Sequence, residues 1–383
     1  MEADESISGR DDGLRHGSDA LLVDFHCHGI GPFDFAQPGE LVMERIETQL
    51  REERVYAVLT LYVPRNTLAL FCDFCRVYER LRRTGGVTRI LGIATEGPLF
   101  SSVGGTPRSG KWIPKKSEWA QFTQLGAYGL RYMVLSPDAL WWQEPREEYP
   151  ESLEWIVDAL YEAGITPALG HFSKQCPHGS ARAVHAIADH VARRGYAPFF
   201  TDHLFNDMPL NFKHAWRGPA EKPNRAQELS SVDPGSWNIR NLEQRMGAVP
   251  AALIRAARDG LAKICMNFDG EHVDLEVCRH AVRVIGAEHL MMMTDRIQSG
   301  RLAGQQLSRR AGSALLYQSD GIVAGGTSAP RQQVANLYQM GLSQSEVMQI
   351  AGETAWSALK LLPSQGQPRR VAVEPQSPVP WRS

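Results

Sequence analysis

The chain has 383 residues, of which 43% are hydrophobic and 22% charged. These proportions are ordinary for a globular protein and exclude a disordered, collagenous or fibrous chain. Lys and Arg number 41 against 43 Asp and Glu, a net charge of -2. This balance gives no electrostatic basis for binding nucleic acid or an anionic membrane, so we expect a small-molecule substrate.

The compartment is predicted from cysteine usage and the start of the chain. Six cysteines are too sparse for a disulfide framework. The acidic first residues lack the apolar core of a signal peptide, and no run approaches the roughly 18 apolar residues of a membrane span. We expect a cytoplasmic protein with a polar N-terminal arm (1–19) and a flexible tail (363–383) rich in Pro, Gln and Arg.

Eight short, nearly continuous apolar runs predict strands that are buried on both faces. They are residues 21–26, 55–63, 89–95, 129–135, 165–171, 198–203, 262–268 and 290–294. Helical patterns alternate with them or follow the last one, at 40–54, 68–83, 152–163, 181–194, 250–259, 275–285, 331–339 and 343–361. This alternation predicts an α/β protein of the (β/α)₈ TIM barrel type over residues 20–362.

One connection is unusually long. Residues 208–250 follow the sixth strand and are rich in basic and aromatic residues. Long loops inside compact domains are usually functional, so we expect either a lid over a polar or anionic ligand or a solvated excursion.

The first strand ends in Asp-Phe-His-Cys-His (24–28). Alternate residues of a strand point to the same face, which predicts that His26 and His28 project into the barrel mouth while Phe25 and Cys27 face the outer helices. Two imidazoles aimed at one point suit a divalent metal. A hydrogen-bonded pair of core histidines is the alternative, but the end of a first barrel strand favours the metal.

Other strands end in acidic residues or histidines in the same way, namely at Glu96, His171, His203, Asp269 to His272, and Asp295. Active sites of TIM barrels lie at the C-terminal ends of the strands. A purely structural role for this set is hard to explain, because a buried unpaired charge is costly.

Several imidazoles with one carboxylate suit Zn²⁺, Fe²⁺, Co²⁺ or Mn²⁺ rather than Mg²⁺ or Ca²⁺. Glu96 either bridges two ions or anchors one together with His171 and His203. A metal-bound water that loses its proton near neutral pH would be the nucleophile. Asp295 would be the general base and acid, or one more metal ligand.

In this order, the residues resemble the N-acetylglucosamine-6-phosphate deacetylase family of the amidohydrolase superfamily. The matching pieces are Asp-Phe-His-Cys-His-Gly (24–29), Glu-Gly-Pro (96–98), Gly-His (170–171), His-Leu-Phe-Asn-Asp-Met-Pro (203–209), Asp-Gly-Glu-His-Val (269–273), Thr-Asp (294–295) and Asp-Gly-Ile-Val-Ala-Gly (320–325). They span about 300 residues.

The resemblance implies a barrel, usually in a homodimer, with one or two divalent ions, most commonly Zn²⁺. Glu96, His171 and His203 would hold the principal ion, and His26 and His28 a second one. Asp295 would be the catalytic acid and base. His272 would polarise the carbonyl or hold the substrate, and Asn206 would contact the sugar or phosphate. Arg217 is the closest candidate for binding phosphate.

The chain also departs from the family. Only about 20 residues precede the first strand and about 20 follow the last helix, which predicts a barrel without the family's flanking β-sandwich. Ala94 stands where the family commonly has His, and Arg296 where it usually has Ala. The guanidinium of Arg296 would bind a substrate carboxylate or phosphate, or else pair with a surface acid.

The sequence therefore predicts a metal-dependent amidohydrolase that deacetylates an N-acetyl amino sugar or a related small N-acyl compound. One alternative is hydrolysis of another C–N bond, in a cyclic amide, an imine or a ring amine. The other is a non-catalytic barrel that serves as a binding partner.

Overall fold

The computed structural model describes residues 22–140, 142–144 and 151–360. Eight strands form one sheet in chain order, and consecutive strands are parallel. They are β1 (Val23–Cys27), β2 (Tyr56–Leu61), β3 (Ile90–Glu96), β4 (Leu130–Leu135), β5 (Thr166–Leu169), β6 (Phe199–His203), β7 (Ala262–Asn267) and β8 (Leu290–Met293). All eight predicted strands are confirmed.

The sheet closes on itself between β8 and β1. The amide of Asp295 donates to the carbonyl of His26 at 3.0 Å, and the amide of His28 donates to the carbonyl of Arg296 at 2.9 Å. The structure is thus a (β/α)₈ TIM barrel, as predicted. Closure brings the residues that follow β8 beside the histidines at the end of β1.

The inside of the barrel is filled by apolar side chains. Phe25 stacks on Tyr132 with ring centroids 5.0 Å apart, and both rings meet Phe200 edge-on. This aromatic layer lies directly beneath His26, because the Tyr132 hydroxyl is 3.1 Å from His26 Nδ1. A larger apolar cluster fills the space between the strands and the outer helices.

The position of Phe25 corrects the prediction that it faces the outer helices. Asp24 pairs with Ala57 and Cys27 with Leu59, so three steps along β1 match two along β2. An extra residue of this kind breaks the strict alternation of side chains. Phe25 and His26 therefore both face inward, whereas Cys27 packs in the outer cluster as predicted.

The α-helices in chain order are α1 (Met43–Glu53), α2 (Leu68–Arg83), α3 (Lys116–Gln124), α4 (Leu153–Glu162), α5 (Pro177–Arg194), α6 (Gly218–Glu221), α7 (Arg225–Val232), α8 (Leu242–Met246), α9 (Ala248–Arg258), α10 (Leu275–Ile285), α11 (Pro330–Gln339), α12 (Gln344–Met348) and α13 (Thr354–Ala358). Short 3₁₀ turns lie at Pro38–Glu40, Arg65–Thr67, Arg108–Gly110, Leu125–Tyr128, Lys222–Asn224, Pro234–Ser236 and Ala287–His289.

The predicted helices are present, and α2 and α10 have the predicted bounds. The helix predicted over 343–361 is instead α12, a π-helical turn at Gln349–Glu353, and α13. Helix α3 was not predicted, since its amphipathic pattern is weak and it has only two buried residues, Trp119 and Phe122.

Residues 208–250 are folded rather than a bare loop. They contain α6, α7 and α8, and α9 already begins at Ala248. Phe205, Phe212 and Trp237 form an aromatic cluster with centroid distances of 5.1 to 6.4 Å. The Arg225 guanidinium donates to both carboxylate oxygens of Asp274, at 2.5 and 2.8 Å, which fastens this segment to the start of α10.

A second excursion lies between β8 and α11. It contains a hairpin of β9 (Arg301–Leu302) and β10 (Gln305–Gln306), and a sheet of β11 (Ser308–Arg309), β12 (Leu315–Tyr317) and β13 (Val323–Gly326). These are the only strands outside the barrel in the described residues. The predicted absence of a flanking β-sandwich concerns the two chain ends and stays a prediction.

The predicted arm (1–19) and tail (363–383), and the barrel limits at 20 and 362, fall outside the described residues. Within the described ranges, none of the helices has the length and hydropathy needed to cross a bilayer.

Candidate metal centre

The strand ends bring the predicted ligands into two adjoining groups. One consists of His26, His28 and Asp295, and the other of Glu96, His171, Asp202 and His203. Within each group, one ligand atom from every residue lies within 4.8 Å of the others, and all seven residues are buried. The ends of four strands, β1, β3, β5 and β6, and the turn after β8 therefore contribute to a single centre at the C-terminal end of the barrel.

Glu96, the last residue of β3, lies between the two groups. Its Oε2 is 3.0 Å from His26 Nε2 and 2.7 Å from His28 Nε2, and its Oε1 is 2.5 Å from His171 Nε2. One carboxylate thus faces both groups. Of the two placements open from the sequence, this geometry favours the bridging one.

The imidazoles are held by groups behind them. His28 Nδ1 is 3.0 Å from the carbonyl of Thr60, and the Tyr62 ring stacks on His28 at 4.3 Å. His171 Nδ1 is 2.9 Å from Asp207 Oδ2. These contacts direct the Nε2 atoms of His28 and His171 into the centre, the arrangement by which outer groups orient metal-binding histidines.

Asp295 lies between His28 and His272 and contacts both. Its Oδ1 is 3.3 Å from His28 Nε2 and its Oδ2 is 3.3 Å from His272 Nε2. On the other side of the ring, His272 Nδ1 is 2.6 Å from Asp269 Oδ2. Asp295 is therefore placed to exchange protons beside the centre, with His272 adjacent to it.

The centre attracts positive charge. Burial disfavours the protonated form of His28, but the carboxylates of Glu96 and Asp295 outweigh it and raise the pKa of His28 to about 10. In the same way, Asp269 and Asp295 outweigh burial and raise the pKa of His272 to about 9. Burial alone would raise the pKa of Glu96, yet His28 and His171 hold it well below its ordinary value.

Strained backbone concentrates around the centre. His171, Asp207 and Asp295 have φ values of 52°, 39° and 53°, and Phe205 has 71°. Side chains other than glycine rarely adopt this left-handed region. Such strain persists only where the surrounding structure enforces it, and it is typical of functional sites.

The donor set fits a divalent transition metal. Several polar atoms buried at the centre have no hydrogen-bond partner, namely both carboxylate oxygens of Asp202, His203 Nδ1 and His272 Nε2. Imidazole nitrogens mixed with carboxylate oxygens are donors that Zn²⁺ and Fe²⁺ accept. The predicted ligands all belong to these two groups, namely His26, His28, Glu96, His171 and His203, and their role in holding metal stays a prediction.

Two predicted substrate-binding residues lie near the centre. The Asn206 side-chain amide donates to Asn267 Oδ1 at 3.1 Å, at the end of β7. The Arg217 guanidinium donates to the carbonyls of Glu271 and His272, at 3.2 and 3.1 Å. Burial lowers the pKa of Arg217, so this partly dehydrated cation is suited to an anionic group.

A cavity of about 450 Å³ opens beside the centre, lined by Lys174, Met208, Phe212 and His214 among others. Lys174 Nζ is 2.9 Å from Asp207 Oδ1, and Asp207 in turn contacts His171. The Lys174–Asp207 pair therefore lies between the cavity and His171.

Arg296 does not bind substrate, contrary to the first of its two predicted roles. Its side chain is fully buried behind β1, where Nε is 3.0 Å from Asp24 Oδ2 and Nη1 donates to Glu53 Oε2 at 2.8 Å. Arg296 pairs with acids of the protein, as the alternative predicted, but Asp24 is fully buried rather than at the surface. The two acids lie on β1 and α1, and no local sequence signal indicates them.

Asp202 and Asp207 also lie at the centre and are not predicted from the sequence. Asp202 immediately precedes His203, and strict alternation would have turned its side chain away from the centre. Asp207 immediately follows the predicted Asn206. A usable signal was the sequence Asp-His-Leu-Phe-Asn-Asp (202–207), which has acids on both sides of the predicted ligand and substrate residues.

Comparison with known proteins extends these observations. No family model and no curated protein matches the chain. Among solved structures, N-acetyl-D-glucosamine-6-phosphate deacetylase from Mycobacterium smegmatis in complex with N-acetyl-D-glucosamine-6-phosphate is 22% identical, with a TM-score of 0.62 over 89% of this chain and 77% of that one.

The N-acetylglucosamine-6-phosphate deacetylases of Pasteurella multocida and Thermotoga maritima are 17% and 18% identical, with TM-scores of 0.63 and 0.61. Each match covers 89% of this chain, and 76% and 78% of the respective enzyme. At such identities the likeness shows that the chain has the same fold.

Proposed function

We propose that this protein is a metal-dependent amidohydrolase that removes the acetyl group from an N-acetyl amino sugar, or from a related small N-acyl compound. The observation that carries the proposal is the convergence of His26, His28, Glu96, His171 and His203 on one buried point beside Asp295. That point lies at the C-terminal end of a barrel with the fold of N-acetylglucosamine-6-phosphate deacetylases.

In this proposal His26 and His28 would hold one divalent ion, His171 and His203 would hold another, and Glu96 would be a ligand available to both. Zn²⁺ suits this set best, and Fe²⁺, Co²⁺ and Mn²⁺ are also compatible. When bound, the metal would polarise the amide carbonyl and lower the pKa of a coordinated water.

Asp295 performs the proton transfers. Its carboxylate faces the centre, where it accepts the proton that the nucleophilic water gives up and returns that proton to the departing amine. A positioned general acid and base of this kind contributes about 10²- to 10⁴-fold to a rate. His272, held by Asp269 through Nδ1, directs Nε2 toward Asp295 and the substrate carbonyl.

The substrate would enter from the cavity beside Lys174 and His214. Asn206 and Arg217 lie next to that route and supply an amide and a cation for the polar groups of a sugar or phosphate. An anionic substrate would bind more tightly because of the Arg217 guanidinium, since a charge-assisted hydrogen bond in a partly dehydrated site is strong.

The proposal is tested by measuring acetate release from N-acetylglucosamine 6-phosphate with protein reconstituted with Zn²⁺ or Fe²⁺. We expect release by the wild-type protein, and a rate reduced about 10²- to 10⁴-fold in Asp295→Asn with the metal content unchanged. Hydrolysis by Asp295→Asn at the wild-type rate would refute the assigned mechanism.

If metal-loaded protein releases no acetate, other N-acyl compounds that carry an anion should be assayed next. Release of ammonia without acetate would favour hydrolysis of a different C–N bond. A purified protein that retains no metal would favour a non-catalytic binding role. The expected homodimer stays a prediction, which light scattering in solution checks.

A further inference from the structure

Asp202 is the acid of the centre that the proposed function leaves without a role. Its Oδ2 is 3.3 Å from His171 Nε2 and 3.3 Å from His203 Nε2, and its Oδ1 is 3.6 Å from His26 Nδ1. The carboxylate thus touches one histidine of the first group and both histidines of the second. Glu96 also contacts both groups, but it approaches His26 at Nε2, whereas Asp202 approaches the opposite ring nitrogen, Nδ1.

The side chain is 1% exposed and neither carboxylate oxygen has a hydrogen-bond partner. Its ion-pair contacts in the described part of the chain are imidazole nitrogens. A buried carboxylate is costly unless a cation or a hydrogen-bond donor compensates it. The imidazoles around Asp202 supply that compensation only when they are protonated, whereas an ion held by the adjacent histidines would supply it while they stay neutral.

The backbone places Asp202 in this position. Phe200 pairs with Lys263 and His203 with Cys265, so three steps along β6 match two along β7. The irregularity lets two consecutive side chains, those of Asp202 and His203, both face the centre. Gly170 makes room for them, since a Cβ there would lie 2.5 Å from the Cβ of Asp202.

We propose that Asp202 is a further metal ligand, which would hold an ion together with Glu96, His171 and His203 and would support the His26 ring from its Nδ1 side. This inference rests on the metal-dependent function proposed above. Charge supports it, because two divalent ions carry four positive charges against the three carboxylates of Glu96, Asp202 and Asp295. The histidines then act as neutral ligands, the form in which imidazole binds metal.

The first experiment measures the stoichiometry and dissociation constants of Zn²⁺ and Co²⁺ for the full chain, against a competing chromophoric chelator. Asp202→Asn keeps the shape of the side chain and removes its charge. We expect the wild-type protein to bind two ions, and the variant to bind at least one of them about 10- to 100-fold more weakly. Equal stoichiometry and affinity in both proteins would overturn the proposal.

A second variant tests the position directly. In Asp202→Cys, a thiolate that reaches bound Co²⁺ produces an intense near-ultraviolet charge-transfer band, which is not obtained from a side chain with a merely structural role. The matched control is Thr201→Cys, one residue away on the same strand, for which we expect no new band. A folded, Co²⁺-loaded Asp202→Cys protein without the band would also overturn the proposal.

Asp24→Asn controls for stability, because Asp24 is a fully buried carboxylate that pairs with Arg296 rather than facing the centre. We expect it to lower the melting temperature and to leave metal binding intact.

These metal-binding measurements need no substrate. Binding of two ions that depends on Asp202, without acetate release, would refute the function alone, whereas acetate release with unchanged metal binding in Asp202→Asn would refute the role of Asp202 alone.

Discussion

Two networks of buried charge lie on opposite sides of β1, and they are neutralised differently. Behind the strand, Arg296 contacts Asp24 at 3.0 Å and Glu53 at 2.8 Å, and Thr294 Oγ1 donates to Asp24 at 2.8 Å. In front of it, the ion-pair partners found for Glu96, Asp202 and Asp295 in the described residues are all histidine nitrogens.

The rear network therefore contains its own permanent cation, whereas the metal centre contains only groups that become cationic by taking up protons. A carboxylate paired with arginine needs nothing from outside the chain. A carboxylate surrounded by imidazoles is compensated either by protons or by metal. The rear network therefore serves the fold, whereas the centre requires positive charge from bound protons or metal ions. The experiments below examine this distinction.

The largest effect on stability is expected from Arg296→Met. The substitution leaves Asp24 buried without its cation, and breaking a buried pair in this way costs about 3 to 5 kcal/mol. We expect denaturant unfolding to show this loss, while the folded variant binds as much Zn²⁺ as the wild-type protein. Loss of metal from the folded variant would show that the two networks are coupled.

Glu53→Gln provides the matched control on the rear side. The Glu53 side chain is 20% exposed, and the new amide oxygen still accepts a hydrogen bond from Arg296. We expect a loss of about 1 kcal/mol, in the range of an ordinary hydrogen bond.

Removal of metal is expected to have the next largest effect. An ion present at roughly 100- to 1,000-fold above its dissociation constant stabilises the folded state by about 3 to 4 kcal/mol. Treating the wild-type protein with a chelator should lower its melting temperature accordingly, and adding Zn²⁺ should restore it. The same decrease in Arg296→Met would confirm that the networks act independently, and an unchanged melting temperature in the wild-type protein would argue against a metal centre.

A smaller effect is expected from Asp207→Asn. Asp207 lies 2.9 Å from His171 Nδ1 and contacts Lys174 on its other oxygen. An amide oxygen still accepts the histidine proton but no longer supports the ring with negative charge. We expect metal affinity to fall about 10-fold, at the low end for such supporting groups, as measured by competition with a chelator. An unchanged affinity would indicate that Asp207 serves Lys174 and the cavity instead.

The fold and much of the centre are predictable from the sequence because they follow local rules. Apolar runs mark the strands, and His26, His28, Glu96, His171 and His203 all stand where those runs end. In a TIM barrel these ends meet on one face, so a one-dimensional pattern is enough to place the ligands together. Which Glu96 oxygen faces which histidine does not follow from that pattern.

The errors arose where local rules fail. The prediction for Phe25 is wrong because a register irregularity in β1 interrupts the alternation of side chains between the two faces. Asp202 is not predicted because β6 has an irregularity of the same kind. Arg296 was given the option of binding substrate because it follows Asp295. Its true partners, Asp24 and Glu53, are more than 240 residues away in the chain, and only the closed barrel brings them together.

The left-handed backbone at His171, Asp207 and Asp295 has a consequence for protein engineering. Each position costs the folded state about 1 to 3 kcal/mol, which glycine would largely relieve. Glycine would also remove a group that holds the metal or supports its ligands, and the stabilisation lost with the metal, about 3 to 4 kcal/mol, would exceed the strain relieved. Screens that combine heat challenge with an activity assay should retain all three residues.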